Sequence, residues 1–410
     1  MKQDIAASNA KEKFPIIAIA LVFFTMLPVT MIVPVFKDLI KDRLGGDNLM
    51  VSLFMSTAML GSFLFSPIAG HYSDRLQTRK KFIVVFAFLD SLCFLLLAKS
   101  QSLLVLQVVR FLEGACHIFV IGLLLSLLSD RENDPGNVRF FRKGVLLGLS
   151  GMFLSLGVGM GSPLGILGRK NPEVPFYAAS AIMLAIGLFS LFFLKDYPFV
   201  HSSEATWKSW IKAFRRNKLI LLPYMYTFID RFTVGFLVTT FNLHMRENLQ
   251  FQAGKVGMFL SFVLIPMSLL SYPFALLSRK IGTLPLMMAG SLCYGICLAI
   301  AGSTQEADTL AFLFLLCGFG AGVMFVPSMI LASELSPPGY NASVMAGFTG
   351  AGSVGFMLGP IVSVVLQRYL VQLGQQENSF SIVSACMGFS EILVVLISIP
   401  IYKKVTRSQL

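Results

Sequence analysis

Three side chains that can carry charge or protons lie within one apolar stretch of the chain, Leu103–Ser129. Arg110, Glu113 and His117 follow the spacing i, i+3, i+7, with Gly114 beside them, so on a helix they share one face. Charges at membrane depth usually face a bundle interior or a water-filled cavity. The pattern indicates a polar path through a membrane. The alternative is a buried Arg110–Glu113 ion pair that only fixes helix packing.

The elements that would position this face are those of a membrane protein. The chain has 410 residues, of which 55% are hydrophobic and 13% charged, with a mean hydropathy of +0.75. Soluble domains carry about a quarter charged residues. Here the charges fall in blocks between apolar stretches long enough to cross a bilayer. The sequence therefore predicts an all-α membrane protein with twelve transmembrane helices. These spans run Phe14–Phe36, Asn48–His71, Phe82–Ala98, Leu103–Ser129, Gly144–Leu167, Val174–Leu194, Leu219–His244, Gly254–Leu277, Leu284–Gly302, Thr309–Ala332, Ala342–Leu366 and Phe380–Tyr402.

The formal net charge of +12 is spread in a way that speaks for topology and against nucleic acid. Lys and Arg concentrate in alternate loops, which is the positive-inside pattern. With an even number of spans, both termini lie on the same side, and the basic loops make that side cytoplasmic. We expect a multi-pass protein of the cell (inner) membrane, with the lipid bilayer as its surroundings and no nucleic-acid partner.

Neither the cysteines nor the loops indicate a cofactor. All six cysteines fall inside apolar segments, and Cys293 and Cys297, one helical turn apart, have no third ligand near them in sequence. Small buried packing residues are the expected role for such cysteines. No GxxxxGK[ST] nucleotide-binding signature and no catalytic constellation occurs in a loop. We expect no enzyme activity, no cofactor and no bound metal.

One hydrophilic stretch, residues 195–218, divides the chain into two six-span halves, 1–194 and 219–410. Within it Trp207, Trp210, Ile211 and Phe214 follow helical spacing, with basic residues on the other side. This pattern predicts an amphipathic helix in the cytoplasmic headgroup layer. The alternative is a linker helix that packs on the bundle.

The halves repeat each other weakly. In the fifth and the eleventh span, two small residues recur at a constant offset and precede a proline, and small residues of this kind let helices approach closely. Two related six-helix halves are typical of transporters, with the substrate site where the halves meet. The residues are Gly157, Gly161 and Pro163 in the fifth span and Gly355, Gly359 and Pro360 in the eleventh.

The loop between the second and third spans resembles a signature of the major facilitator superfamily. It reads Gly70, three residues, Asp74-Arg75, and then a basic cluster that begins at Arg79. The resemblance implies that Asp74 caps the start of the eleventh span and latches the halves when the cytoplasmic side is closed, because a helix N-terminus attracts negative charge. The alternative is that the basic residues are only topology determinants.

Two further motifs resemble those of the twelve-helix drug:proton antiporters in that superfamily. Arg110-Phe-Leu-Glu113-Gly114 matches their fourth-span signature, with Glu113 where the family often has Gln. The resemblance implies a role for Arg110 in proton coupling, to which Glu113 adds a titratable group. The glycine-rich end of the fifth span is similar to the antiporter motif and tilts the interpretation toward efflux, although Ser162 stands where the family usually has proline. Ordinary small-residue packing is the alternative.

The superfamily's fold implies that spans 1, 4, 7 and 10 line a central cavity. Of the adjacent Asp230 and Arg231 in the seventh span only one can point squarely inward, and we expect Asp230, with a role in proton coupling. Asp90 and Glu391 lie on peripheral spans, where a hydroxyl or backbone partner is expected. The remaining substrate-cavity candidates are His117, Arg231, Thr25, Thr30 and Asn242.

The sequence thus predicts a proton-coupled secondary transporter that exports small amphipathic or cationic organic molecules. Its partners are then the small-molecule substrate, protons and the bilayer, and we expect a monomer. The alternative is uptake or translocation of a metabolite, a siderophore or a lysolipid by the same fold. A sensor or scaffold built on this fold is the non-transporting possibility.

Overall fold

The computed structural model describes residues 2–133, 145–196, 207–338 and 340–401 of the chain. This part contains fourteen α-helices. A helix satisfies its own backbone hydrogen bonds, which is what hydrocarbon demands of a spanning segment. Large apolar side chains such as Leu104 and Phe192 stay more than 70% exposed, as a lipid-facing surface requires. The helices are α1 Lys2–Met31, α2 Asn48–Arg75, α3 Lys80–Lys99, α4 Leu103–Asn133, α5 Val145–Gly161, α6 Val174–Phe193, α7 Trp207–Arg216, α8 Leu221–Phe236, α9 Asn242–Glu247, α10 Ala253–Ile281, α11 Thr283–Ala301, α12 Ala307–Glu334, α13 Asn341–Gln372 and α14 Ser379–Ser398.

Among these described segments, eleven helical segments are long and apolar enough to cross a membrane. They correspond to all the predicted spans except the seventh, which is also helical throughout but changes helix type along its length. There α8 passes into a π-helical turn, Leu237–Phe241, and then into the short α9. The all-helical, multi-pass architecture predicted from the sequence is confirmed, and the π-helical turn within the seventh span is a finding of the structure.

The two halves of the chain repeat one packing scheme. In the first half α1 packs on α5, α2 on α4, and α3 on both α4 and α6. In the second half the corresponding pairs are α8 with α13, α10 with α12, and α11 with both α12 and α14. The halves meet through α2 against α13 and α5 against α10. The boundaries at residues 194 and 219 stay a prediction, with α6 ending at Phe193 and α8 beginning at Leu221.

Glycines set the closest of these helix contacts. A Cβ at Gly157 or Gly161 of α5 would lie 2.4 or 2.3 Å from a backbone oxygen of α1. A Cβ at Gly355 or Gly359 of α13 would lie 2.1 or 2.0 Å from a backbone oxygen of α8. The repeated glycines therefore make the same close approach in each half. The two prolines behave differently, since Pro163 lies in the first turn of a 3₁₀ extension of α5, Ser162–Arg169, and Pro360 lies inside α13 against Gly235.

The amphipathic helix α7 is packed on the second half. The Trp210 indole donates to the Tyr224 hydroxyl at 3.2 Å, and that hydroxyl donates to the Val344 carbonyl at 2.6 Å. A Cβ at Gly347 would collide with the Trp210 indole and with the Tyr224 hydroxyl, so the absence of a side chain at this position makes room for both. The structure thus has the linker helix docked on the bundle, and the Trp207 side chain lies outside the described residues.

Candidate functional site in the first half

The predicted face of α4 is buried inside the first half. Arg110 is 1% exposed, and its guanidinium lies 2.6 Å from Glu113 Oε2 and 3.3 Å from the Phe54 carbonyl of α2. Close packing of α4 on α2 explains the burial, because a Cβ at Gly114 would lie 2.0 Å from the Ala58 oxygen. The ion pair of the alternative interpretation is therefore present. It does not stand alone.

A carboxylate that sequence reasoning left without a role completes this group. Asp90 of α3, 0% exposed, lies 2.9 Å from His117 Nδ1 through its Oδ2. The expected hydroxyl or backbone partner for Asp90 is thus replaced by an imidazole. Its Oδ1 and the His117 Nε2 are buried with no hydrogen-bond partner among the described residues. We call Asp90, Arg110, Glu113 and His117 the first-half charge cluster.

The formal charge of this cluster does not balance by itself. Two carboxylates and one guanidinium leave one negative charge when the imidazole is neutral, and one added proton makes the cluster neutral. Ligand atoms of Asp90, Glu113 and His117 lie within 4.8 Å of one another, as in a metal site. The Glu113 carboxylate is already paired with the Arg110 guanidinium, whose positive charge would repel a metal cation at this place. The arrangement therefore suits a proton better than a metal.

Asp230 and Arg231 lie in the second half and do not contact this cluster. Asp230 is 1% exposed and 3.4 Å from the Arg231 Nε. The Arg231 side chain is 23% exposed and lies over the Phe325 ring of α12 at 4.2 Å. Arg231 is thus the more exposed of the two, the reverse of the order expected if Asp230 faces a cavity. Glu391 accepts hydrogen bonds from hydroxyls, as expected, with Thr233 at 3.0 Å and Ser291 at 2.6 Å.

The uncharged cavity candidates are engaged with the backbone. The Thr25 hydroxyl donates to the Leu21 carbonyl at 2.7 Å, within α1, and the Thr30 hydroxyl donates to the Val158 carbonyl of α5 at 2.5 Å. Asn242 donates to the Val33 carbonyl at 2.7 Å, which joins the second half to the first. In this structure Thr25 and Thr30 hold helices, and Asn242 holds the two halves together.

Asn242 belongs to a set of contacts that seals one end of the bundle. Among the described residues, three ion pairs join the halves there: Asp38 with Arg246, Lys41 with Glu247, and Asp47 with Arg368 at 2.6 Å. We call this the sealed end. Sequence reasoning missed it, since each of these residues by itself reads as an ordinary loop charge. The only signal in the sequence was opposite charge just after the first and the seventh spans.

Asp47 shows how a sealing residue is held. It caps α2 by accepting from the Met50 N–H at 2.9 Å, and it also accepts from Arg368. Burial by itself would raise the pKa of Asp47, but these hydrogen bonds and the Arg368 charge outweigh it and lower the pKa below its usual value. The side chains of this pair are about half exposed, at 56% and 45%.

At the opposite end the predicted latch residues form contacts within the first half. Asp74 is 56% exposed and lies 3.2 Å from Arg79. Arg79 donates to Asp130 at 2.5 Å, and Asp196 accepts from the backbone N–H groups of Arg79 and Lys80 at the start of α3. Sequence reasoning missed both carboxylates, Asp130 and Asp196.

Asp74 does not reach the start of α13 in this structure. A Cβ at Gly70 would meet nothing within 4 Å, so no helix approaches it closely, and Arg75 is exposed. The latch was predicted for the state in which this end is closed. It therefore stays a prediction.

Comparison with known proteins agrees with this architecture. The family model of the Major Facilitator Superfamily matches residues 18–360, and again 224–407. Multidrug resistance protein 2 of Bacillus subtilis (strain 168) is 23% identical over 380 residues, 89% of this chain and 91% of that protein. The uncharacterised MFS-type transporter YfkF of the same organism is 24% identical over 277 residues, only 66% of each chain.

Solved structures give the same fold. A crystal structure of a mutant of the nucleoside transporter NupG superimposes with a TM-score of 0.79 at 13% identity, and the alignment covers 96% of this chain and 100% of that one. At such low identity the likeness carries the fold alone. With a family match over most of its length, the chain belongs to the Major Facilitator Superfamily and is a transporter, not an enzyme.

Proposed function

We propose that this protein is a proton-coupled secondary transporter that exports small amphipathic or cationic organic compounds by alternating access. The observation that carries the proposal is the first-half charge cluster. Four ionisable side chains are buried there in membrane-spanning helices, and the cluster becomes neutral only when it takes up one proton. Because charges at membrane depth are costly, their presence calls for a function.

The connections within the cluster suggest how a proton would be held. Glu113 is fixed by Arg110, while Asp90 faces His117 at 2.9 Å. A proton taken up by the imidazole is stabilised by the Asp90 carboxylate, and its loss leaves a net negative charge in the bundle. A cationic substrate in the cavity would compete with that proton electrostatically, which gives antiport without direct contact between the two.

The two ends of the bundle fit an exporter that takes its substrate from the cytoplasm. By the positive-inside pattern the sealed end is the outer one, and the end with Asp74 and Arg79 is cytoplasmic, as are both termini. A state sealed on the outside accepts substrate from the inside. The relationship to a protein named for multidrug resistance supports the same direction. We place the protein in the cell membrane as a monomer.

The test is flux in proteoliposomes that contain the purified protein, with a panel of fluorescent organic cations as probes. We expect an imposed pH gradient to drive the probe against its concentration gradient in the wild type. Glu113→Gln should abolish this pH-driven flux, because the cluster is then already neutral before it takes up a proton, and it should leave exchange at equal pH largely intact. Arg110→Ala should be worse, because it leaves a buried carboxylate without its partner.

Glu377→Gln is the matched control, since Glu377 is an exposed carboxyl in the loop before α14. It should transport like the wild type. Full pH-driven flux in Glu113→Gln would contradict the coupling role of this residue. Flux of neutral metabolites or of lysolipids, with no response to organic cations, would favour uptake or translocation instead.

A further inference from the structure

The second half contains a buried charge centre that the proposed function does not use. Asp230 of α8 and Glu391 of α14 are 1% and 0% exposed. The hydroxyl of Thr233, one turn after Asp230, lies 3.0 Å from Glu391 Oε1 and links the two helices. Ser291 of α11 lies 2.6 Å from the other carboxyl oxygen of Glu391. Two carboxyls from different helices therefore share one apolar interior.

The formal charges of this centre do not balance either. Arg231 is the cation beside it, with its Nε 3.4 Å from Asp230 Oδ2. If both carboxyls were ionised, one negative charge would stay uncompensated in the interior, which is strongly unfavourable. One proton on either Asp230 or Glu391 removes that charge. The first-half charge cluster has the same deficit.

A count of hydrogen-bond donors and acceptors around Glu391 also indicates that one proton is bound there. The Thr233 hydroxyl lies within 3.0 Å of three acceptors: the carbonyls of Ile229 and Asp230, and Glu391 Oε1. The Ser291 hydroxyl lies near both the backbone and the side-chain oxygen of Glu391. Each hydroxyl has one hydrogen to donate. A proton on Glu391 supplies a third donor, so that more of these short oxygen contacts become hydrogen bonds.

The other groups that face the centre leave the balance unchanged. Tyr294 of α11 lies beside Thr233 and the carboxyls, with its hydroxyl buried and in no well-formed hydrogen bond among the described residues. Tyr226 of α8 donates to Ser398 at 3.0 Å, and Cys317 of α12 lies near Tyr294. Phenols and thiols are neutral near pH 7. Both oxygens of Asp230 also lack a hydrogen-bond partner in the described chain, so an ionised Asp230 carboxylate is not stabilised by hydrogen bonds.

We propose that Asp230 and Glu391 share one exchangeable proton, so that the transporter has a second proton-binding centre, in its second half. The inference rests on the proposed function only where it concerns transport. A proton is favoured over a metal cation, because the Arg231 guanidinium stands against Asp230 and both oxygens of Glu391 already face hydroxyls. Protons would then be carried in two centres, one per half.

Infrared difference spectroscopy on reconstituted protein tests the shared proton without any transport assay. We expect the wild type at pH 7 to show a protonated-carboxyl band that Glu391→Gln removes. Asp230→Asn should remove the same band, because the remaining Glu391 carboxylate is then balanced by Arg231. Glu377→Gln, the exposed control, should keep it. A band that survives Asp230→Asn overturns the proposal, even if Glu391→Gln fails to fold.

Two further measurements separate this inference from the proposed function. The ratio of protons to substrate, read from the reversal of flux against opposing gradients, should fall from two to one in Asp230→Asn. If the wild type shows no pH-driven flux, the proposed function fails, and the infrared result still decides the shared proton. Thermal stabilisation of the wild type by NaCl over choline chloride, lost in Asp230→Asn, would mean that the centre binds sodium and would overturn the proposal.

Discussion

The sealed end offers a prediction whose size follows from exposure. Asp38 and Arg246 join the halves with side chains 26% and 13% exposed, whereas Asp47 and Arg368 do so at 56% and 45%. A hydrogen bond between charged groups contributes about 1.5–3 kcal/mol when partly buried, and an exposed ion pair about 0–1 kcal/mol. Asp38→Asn should therefore favour the state open at this end roughly thirty-fold, for a loss of about 2 kcal/mol.

Asp47→Asn is the matched control, because Asn caps a helix about as well as Asp and only the pair with Arg368 is weakened. Its effect should be at most about five-fold, for up to 1 kcal/mol. The assay is the distance distribution between spin labels at Lys170 and Gln372, exposed positions at the sealed end in the two halves. Asp38→Asn should populate a longer distance. A larger opening in Asp47→Asn than in Asp38→Asn would refute the argument from exposure.

Three further outcomes are expected. Asp74→Asn should impair flux, because the state closed at the end that contains Asp74 loses a contact. Substrate binding, measured by thermal shift, should persist. Wild-type flux in this variant would exclude the latch. Gly114→Ala should lower the melting temperature strongly, since a Cβ there would lie 2.0 Å from α2, whereas Gly151→Ala, with nothing within 4 Å, should not. Because the pKa of Asp47 is lowered, its pairing with Arg368 is lost only as the pH falls below the usual aspartate pKa of 3.8. The effect of Asp47→Asn on the label distances should therefore be the same at pH 5 and at pH 8, and an effect that disappears at pH 5 would contradict this.

Hydropathy and charge patterning predicted the spans well, because a bilayer restricts the chain to long apolar helices. The same patterning did not show the π-helical turn within the seventh span, since hydropathy does not distinguish a π-helical from an α-helical turn. The face shared by Arg110, Glu113 and His117 followed from helical spacing alone. That Asp90 joins it depends on how α3 lies against α4, which periodicity within one helix cannot fix. The general rule that a buried charge needs a partner could have connected Asp90 with His117.

The ion pairs between the two halves could not be predicted from the sequence for a similar reason. Residues such as Asp38 and Arg246 lie far apart in the chain, and opposite charge in two loops is too common to select one pairing. The glycine repeat was informative because a missing side chain is an intrinsic property of the position. Its partner surface on α1 and α8 still had to come from the structure.

The π-helical turn Leu237–Phe241 changes the direction in which the residues after it project from the helix axis. A π turn inserts residues relative to an α-helix, so it rotates everything after it about the helix axis. Asn242, Arg246 and Glu247 all follow it and all reach the first half. Deleting one residue from the turn would restore an α-helical register and swing these three by about 100°, away from their partners. The turn thus determines which way the side chains of the sealing residues point around the helix axis, independently of the direction of Asp230 on the preceding helix.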